Sequence, residues 1–356
     1  MFSRVRLLLL LSAVCVGGFT VSDAQQTPPN PEIKAPSATP TPPINDEDEI
    51  IKVDTDVVNV LFTAQDRNRR LLATVKQEDI KILEDGKPQE IIAFSKQIDL
   101  PLSLAILVDV SGSQERTLPE EKLAAISFLE AVIRPKKDEV CVVSFTGEST
   151  LEQGLTNNLA HLRRSIERIR FVPAAGYVGS GVYTGTPPIS GDAGKTVAST
   201  AIWDAIWVTS EEILGPAPER TRRAIILLTD GINTSGRKKL DEAVQAALKA
   251  EAIIYSIGIG DDFQYGVDKG ILNKVSDRTG GRAYFPRDER ELRDAFAQIQ
   301  DELRTQYLLA YEPSNQTRDG SYRKIEIQLT NPQHIKDKTR ITHRQGYFAK
   351  GTPQKK

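Results

Sequence analysis

Apolar residues change their spacing twice along this chain, and each change marks a boundary between kinds of structure. From Ile51 to Gln97 they come in short segments of β character, Val53 to Thr63, Ile80 to Glu84 and Gln89 to Phe94. Polar turns separate them at Asp66-Arg67-Asn68 and at Glu84-Asp85-Gly86-Lys87, the second of which predicts a hairpin. Such strands are too few and too short to hold a core by themselves. From about Pro101 to Thr305 unbroken apolar runs appear instead, at Leu104 to Val108, Val140 to Phe145, Arg223 to Thr229 and Ala252 to Gly258. Runs without alternation predict strands covered on both faces.

Helical spacing separates those runs. Leu123, Ile126, Phe128, Leu129 and Val132 predict a helix ending before Pro135, opened by Thr117-Leu118-Pro119-Glu120 with capping-box residues. Further helices are predicted over Leu159 to Ile169, Ala198 to Leu214, Leu240 to Ala250, Ile271 to Thr279 and Glu289 to Thr305. Leu151 to Leu155 reads as an edge strand and Arg282 to Phe285 as a short one. After Thr305 a period of two returns over Tyr307 to Tyr311, Tyr322 to Leu329 and Thr339 to Phe348, with a polar turn at Asn315 to Gly320.

Strand and helix in alternation predict an α/β fold with a doubly wound, mainly parallel sheet. The β segments on either side each look incomplete, so they are expected to join into one small all-β sandwich with the α/β domain inserted between them. The domains expected are a signal peptide at 1–24, a Pro/Thr-rich linker at 25–50, sandwich strands at 51–100, the α/β domain at 101–305 and completing strands at 306–350.

Composition narrows the function. Lys and Arg total 46 against 48 Asp and Glu, so no basic surplus argues for nucleic acid. Met1 to Ala24 has the form of a secretory leader: Arg4 and Arg6, an apolar core from Leu7 to Val16, and Ser22-Asp23-Ala24 at a cleavage site. The apolar run is shorter than the ~20 residues that a membrane span needs. The chain is therefore expected to be exported, periplasmic or secreted, with no span after cleavage. Cleavage would leave Cys141 as the only cysteine, in an apolar run that suits a buried structural thiol.

Candidate chemistry sits where the first buried run stops. Asp109, Ser111 and Ser113 place three oxygen side chains on a strand-to-helix turn, and Gly112 gives the backbone freedom to fold there. Hard divalent ions take oxygen ligands. Because hydroxyls are neutral, such a site leaves positive charge to attract an outside carboxylate. The pentapeptide alone also suits a capped turn without metal.

The D-x-S-x-S pattern after a buried strand resembles the metal-ion-dependent adhesion site of the von Willebrand factor type A (VWFA) domain. Two later segments strengthen the resemblance. Ser199-Thr200-Ala201-Ile202 is similar to the family's second loop, with Thr200 at the ligand threonine, and Leu228-Thr229-Asp230-Gly231 to its third, with Asp230 at the ligand aspartate. The flanking β segments and Arg344-Gln345-Gly346-Tyr347-Phe348 resemble a VWFA-related family known from Acidobacteria.

That resemblance implies a non-catalytic module binding a divalent cation, Mg²⁺ first with Mn²⁺ and Ca²⁺ as alternatives. Ser111, Ser113 and Thr200 would approach the metal, Asp109 and Asp230 would act partly through water, and a protein partner would offer an Asp or Glu. Gly112 and Asp204 are the supporting positions, Asp204 orienting the loop from one helical turn past Thr200. A domain whose cation only stabilises it is the first alternative and a metal-dependent hydrolase the second. Against catalysis, Ser111 stands where a second nucleophile-flanking aspartate would be needed, and His161, His334 and His343 lie far from the three loops in sequence.

Four smaller features remain. Phe171 to Thr196 is rich in Gly, Ser, Thr and Pro and reads as a partner-binding flap or a variable insertion. Within it, Gly191 to Thr196 lacks the first glycine of a phosphate-binding loop, so no nucleotide is expected. Trp203 and Trp207 share a helix face as core anchors. Asp261-Asp262 is a supporting acid or a helix cap.

Overall fold

The computed structural model describes residues 57–96, 99–172, 177–179, 182–183, 199–218, 221–260 and 266–351. The expected leader at 1–24 and linker at 25–50, most of the glycine-rich 171–196 segment and Asp261-Asp262 lie outside those residues. Among the described residues, no helix is long and apolar enough to cross a membrane.

Strands β1 (Val58–Gln65), β2 (Ile80–Glu84), β3 (Lys87–Gln89) and β4 (Ile91–Lys96) open the chain. The β2–β3 hairpin turns at Asp85 and Gly86, whose φ values of 48° and 78° match the right-handed twist of paired strands. These elements cannot cover their own apolar faces, and they find partners only after the intervening domain.

That domain begins with β5 (Leu102–Asp109), α1 (Leu118–Val132), β6 (Glu139–Phe145), the edge strand β7 (Ser149–Thr156) and α2 (Leu159–Arg168). A short antiparallel pair, β8 (Tyr177–Gly179) and β9 (Val182–Tyr183), follows. It continues with α3 (Ile202–Val208), β10 (Arg222–Thr229), α4 (Leu240–Lys249), β11 (Ala252–Gly258), α5 (Lys269–Thr279), β12 (Ala283–Tyr284) and α6 (Glu289–Arg304). Its sheet has six strands in the order β12-β11-β10-β5-β6-β7, all parallel except β7.

Both faces of that sheet are covered. In β5, Leu104, Ile106 and Val108 pack with α1, α2 and α6, whereas Ala105 and Leu107 pack with α3, α4 and α5. This is why the run shows no alternation: period two persists, with apolar residues required on both sides. Ile106 and Leu107 are fully buried, and truncating either to Ala is expected to cost about 2–5 kcal/mol. Cys141 is likewise buried on β6, where burial pushes its thiol up to about 12, as befits a packing residue.

The chain then returns to antiparallel strands: β13 (Tyr307–Tyr311), β14 (Tyr322–Leu329), the short helix α7 (Pro332–Lys336), β15 (Arg340–His343) and β16 (Gly346–Phe348). Two four-stranded sheets result, β15-β1-β13-β4 and β16-β14-β2-β3. Val60, Phe62, Ile82, Tyr307, Leu309, Tyr311 and Ile325 fill the space between them. Each sheet mixes strands from before and after the α/β domain, so the expected sandwich with an inserted domain is the observed architecture.

Three local expectations need correction. Thr117 makes no side-chain cap on α1; its hydroxyl donates to Gln114 Oε1 at 3.1 Å instead. The helix expected from Ala198 starts at Ile202 and runs into a π-helical turn over Thr209–Leu214, because Ser199 to Ala201 form a loop tied to other segments. The strand expected over Thr339 to Phe348 breaks at Arg344 and Gln345, where the chain crosses from one sheet of the sandwich to the other.

Candidate metal centre

β5 ends at Asp109 and the chain enters a tight turn over Gly112–Gln114. Asp109 is fully buried. Its Oδ1 accepts the Ser111 N–H at 2.9 Å and its Oδ2 accepts the Thr229 hydroxyl at 2.6 Å. Ser111 and Ser113 bring their Oγ atoms to 3.3 Å of each other. Gln114, also buried, donates Nε2 to Ser113 Oγ at 3.3 Å and to Ile259 O at 3.1 Å, tying the turn to the end of β11.

The neighbouring strand supplies the second acid. β10 ends at Thr229, and Asp230 follows, its Oδ1 accepting the Ile232 N–H at 2.8 Å. Gly231 turns the backbone with φ +84°, a conformation that a side chain would strain, and its place is hemmed by Leu272. Ser113 lies near enough to Asp230 to favour its charged form, so the first and third loops meet here.

Thr200 joins through its backbone. Its N–H donates to Thr234 Oγ1 at 2.7 Å, and its carbonyl accepts the N–H groups of Thr234 and Ser235 at 2.9 and 3.1 Å. Ala201 N–H reaches Thr146 O at 2.7 Å, just past the end of β6. Asp204 pins the same loop one turn later, accepting the N–H groups of Arg237 at 2.9 Å and Lys238 at 3.1 Å. Gly236 passes so close to that carboxylate that any Cβ would strike it. Trp203 is buried in the core, whereas Trp207 is half-buried with the Lys238 ammonium 3.9 Å above its ring.

The electrostatics of the cluster are those of acids without a base. Burial first, and then the charge of Asp230, push Asp109 up to about 7, against the hydrogen bonds from Ser111 and Thr229. Asp230 is raised as well, by burial, with Ser113 and the Ile232 N–H partly offsetting it. Two buried carboxylates with no ion-paired Lys or Arg among the described residues favour a cation between them. The oxygen-only donor set of Asp109, Asp230, Ser111, Ser113 and Thr200 fits a hard divalent ion.

Three further residues join the cluster without having stood out in the sequence. Thr229 was legible in principle: the β5–β10 register pairs Val108 with Leu228, so the next residue on each strand faces the other. Gln114 and Glu121 gave no comparable signal. Glu121, in the first turn of α1, is fully buried with neither carboxyl oxygen hydrogen-bonded. Burial, with smaller contributions from Asp109 and Asp230, pushes it up to about 8.

Residues 193–298 match the von Willebrand factor type A domain. The α/β unit has the VWA fold. Solved structures of similar fold include a von Willebrand factor type A protein from Catenulispora acidiphila, with 14% identity and a TM-score of 0.44 over 85% of this chain and 76% of that one. An aerotolerance-related membrane protein from Bacteroides fragilis aligns with 16% identity and a TM-score of 0.41 over 57% of this chain and 99% of that one. Proximal thread matrix protein 1 from the mussel byssus, with a zinc-occupied MIDAS motif, aligns with 17% identity and a TM-score of 0.43 over 59% and 49%. No curated protein matches the chain. VWA domains are typically non-catalytic interaction modules.

Proposed function

We propose that this chain is an exported, metal-dependent protein-binding module that captures an Asp or Glu of a partner. The observation that carries the reading is the pair of buried acids, Asp109 and Asp230, at adjacent strand ends beside neutral hydroxyls, with no ion-paired Lys or Arg among the described residues. A divalent cation held there, Mg²⁺ in the first instance, supplies incompletely neutralised positive charge and a coordination position open to an outside oxygen. Ser111, Ser113 and Thr200 are assigned to approach it directly, and Asp109 and Asp230 to act partly through water.

The chain's own residues do the positioning. Thr229 and the Ser111 N–H fix the Asp109 carboxylate, Gln114 fixes Ser113, and Thr234 with Asp204 fixes the loop that carries Thr200. A partner carboxylate would then meet a preformed face in which charge-assisted contact provides affinity and the surrounding loops provide specificity. The leader-like N-terminus supports export. The flanking strands and the segment from Arg344 to Phe348 support placing the chain beside the VWFA-related family of Acidobacteria.

Calorimetry with Mg²⁺, Mn²⁺ and Ca²⁺ tests the reading on the wild type, Asp109→Ala and Asp230→Ala, with circular dichroism to check the fold. One site per wild-type chain, lost in both variants, is the expected outcome. Absence of binding to the wild type would overturn it. Partner capture requires in addition that an acidic partner dissociate on chelation; binding of a cation without such dependence would leave a purely stabilising ion.

A further inference from the structure

Helix α5 touches two regions that the proposed function leaves unconnected. At its start, Asp268 caps the helix by accepting the Ile271 N–H at 2.9 Å, and its own N–H donates to the carbonyl of Asp230 at 2.8 Å. Gly231 is hemmed in at the same place: a Cβ on it would lie 3.0 Å from Leu272 Cγ and 3.2 Å from Asp268 O. Gly260 packs there as well, with Asp230 Cβ 3.1 Å from where its own Cβ would stand. The third loop of the candidate metal centre therefore rests on the first turn of α5 through its backbone.

The other end of α5 meets the sandwich. Gly280 closes the helix with φ +88°, and a Cβ there would stand 2.5 Å from Arg344 N and 2.8 Å from His343 C. The carbonyl of Arg278 accepts the Gln345 N–H at 3.1 Å. Arg344 and Gln345 are the residues at which the chain crosses between the two sheets. Arg344 fixes that crossing by donating to Asn59 O on β1 at 2.7 Å and to Glu251 at 3.1 Å.

Between these contacts stand 11 residues of helix, about 16 Å at the rise of an α-helix. Leu272 and Val275 are fully buried. The Ser276 hydroxyl donates to Ser256 Oγ at 2.9 Å, and Thr279 Oγ1 accepts the Ile254 N–H at 3.0 Å. A helix packed in this way shifts as a rigid piece rather than deforming gradually. Displacement at Asp268 is thereby delivered to Gly280.

We propose that α5 couples the candidate metal centre to the sandwich: a cation that draws Asp230 moves the third loop, α5 follows as one piece, and the Arg344–Gln345 crossing is held more firmly. The coupling rests on the cation proposed above at Asp109 and Asp230. It gives the segment Arg344-Gln345-Gly346-Tyr347-Phe348 a role as the receiving end of the link. Because coupling between sites is reciprocal, a change at the crossing must alter cation affinity.

Amide exchange of the intact chain with and without Mg²⁺, beside calorimetry, tests the proposal. Mg²⁺ should slow exchange at Asp268 and Gln345, whose N–H groups end the link, about threefold more than in α2, which covers the opposite face of the sheet. Gly280→Ala, which wedges the crossing away from the helix, should weaken Mg²⁺ binding by about fivefold or more. Should that variant fail to fold, Arg344→Ala, which frees the crossing, should weaken it about threefold. Ile82→Val, in the sandwich core away from the link, should leave the affinity unchanged, because lowered stability alone does not alter binding by the folded chain. Absence of Mg²⁺ binding to the wild type would overturn the cation reading and the coupling with it. Binding with equal slowing at Gln345 and in α2, undiminished affinity in the folded crossing variants, or equal weakening in Ile82→Val would overturn the coupling alone.

Discussion

Where β5 and β10 stop, Asp109, Asp230 and Glu121 are buried with no basic side chain in ion-pair contact among the described residues. Within the sandwich and where it meets the same domain, buried acids are matched. Glu302 Oε1 accepts Gln65 and Tyr284, both at 3.1 Å, and lies 3.3 Å from Arg282 Nε. Glu84 Oε2 accepts the hydroxyls of Tyr311 at 2.8 Å and Tyr347 at 2.9 Å. The second arrangement fastens two parts of one molecule. The first has no basic partner among the described residues, which is the contrast that the proposed binding face would require of it.

The largest effect should come from breaking the joint. Glu302→Ala removes the common acceptor of Gln65 and Tyr284 and leaves Arg282 without its acid, which is expected to cost about 3–5 kcal/mol in urea denaturation. A loss below about 1 kcal/mol would mean that the cluster is only packing.

Next in size is the effect of removing a buried acid from the proposed binding end. Glu121 is held near 8 when folded and titrates near 4.5 in its ordinary state. Between those values the unfolded chain releases a proton that the folded chain keeps, so this group makes stability fall as pH rises from about 4.5 to 8. Glu121→Gln should flatten that slope and be the more stable protein at pH 8, where the wild type must hold a proton or a buried charge that the amide does not have. Parallel stability–pH curves for variant and wild type would contradict this.

Asp109, pushed up to about 7, has the same sign over a lower window and links the comparison to the cation. Without metal its contribution to stability falls as pH rises from about 4 to 7. Mg²⁺ should therefore raise the melting temperature of the wild type by several degrees at pH 8, less at pH 5, and not at all in Asp109→Asn. Equal shifts in both proteins would separate the cation from this acid.

The smallest expected change is at Asp204. Its bonds to the Arg237 and Lys238 N–H groups order the loop opposite Thr200, and Asp204→Ala should cost about 1 kcal/mol. Amide exchange should quicken over residues 231–239 while β5 remains protected. Uniform quickening would point to global destabilisation instead.

What could be read from sequence followed from how local each signal is. β5, β10 and β11 were legible because burial on both faces demands unbroken apolar runs, and Asp109, Ser111 and Ser113 because they follow the first run within five residues. That the flanking strands needed each other was legible from their insufficiency. The long-range pairings were not: Gln65 to Glu302 and Glu84 to Tyr311 join residues more than two hundred positions apart. Glu121 looked like an ordinary acid in the first turn of a helix, where its charge suits the dipole. Only packing against the sheet reveals that it is buried. Thr117 fitted a cap by pattern, but Gln114 offered its hydroxyl a nearer acceptor.

Interleaving also dictates an order of assembly. β1 lies between β13 and β15, so this strand must wait for two others that are synthesised only after the whole inserted domain. Closing an unfolded loop of about two hundred residues adds entropy that grows only with its logarithm, but the waiting strands meanwhile expose unpaired edges prone to pairing wrongly. An inserted domain that folds first removes most of that search, because α6 delivers β13 directly to the junction. Rapid folding of the domain between the strands would thus act as an internal chaperone for the sandwich, and slow-folding variants of it should reveal themselves by aggregation through the sandwich strands.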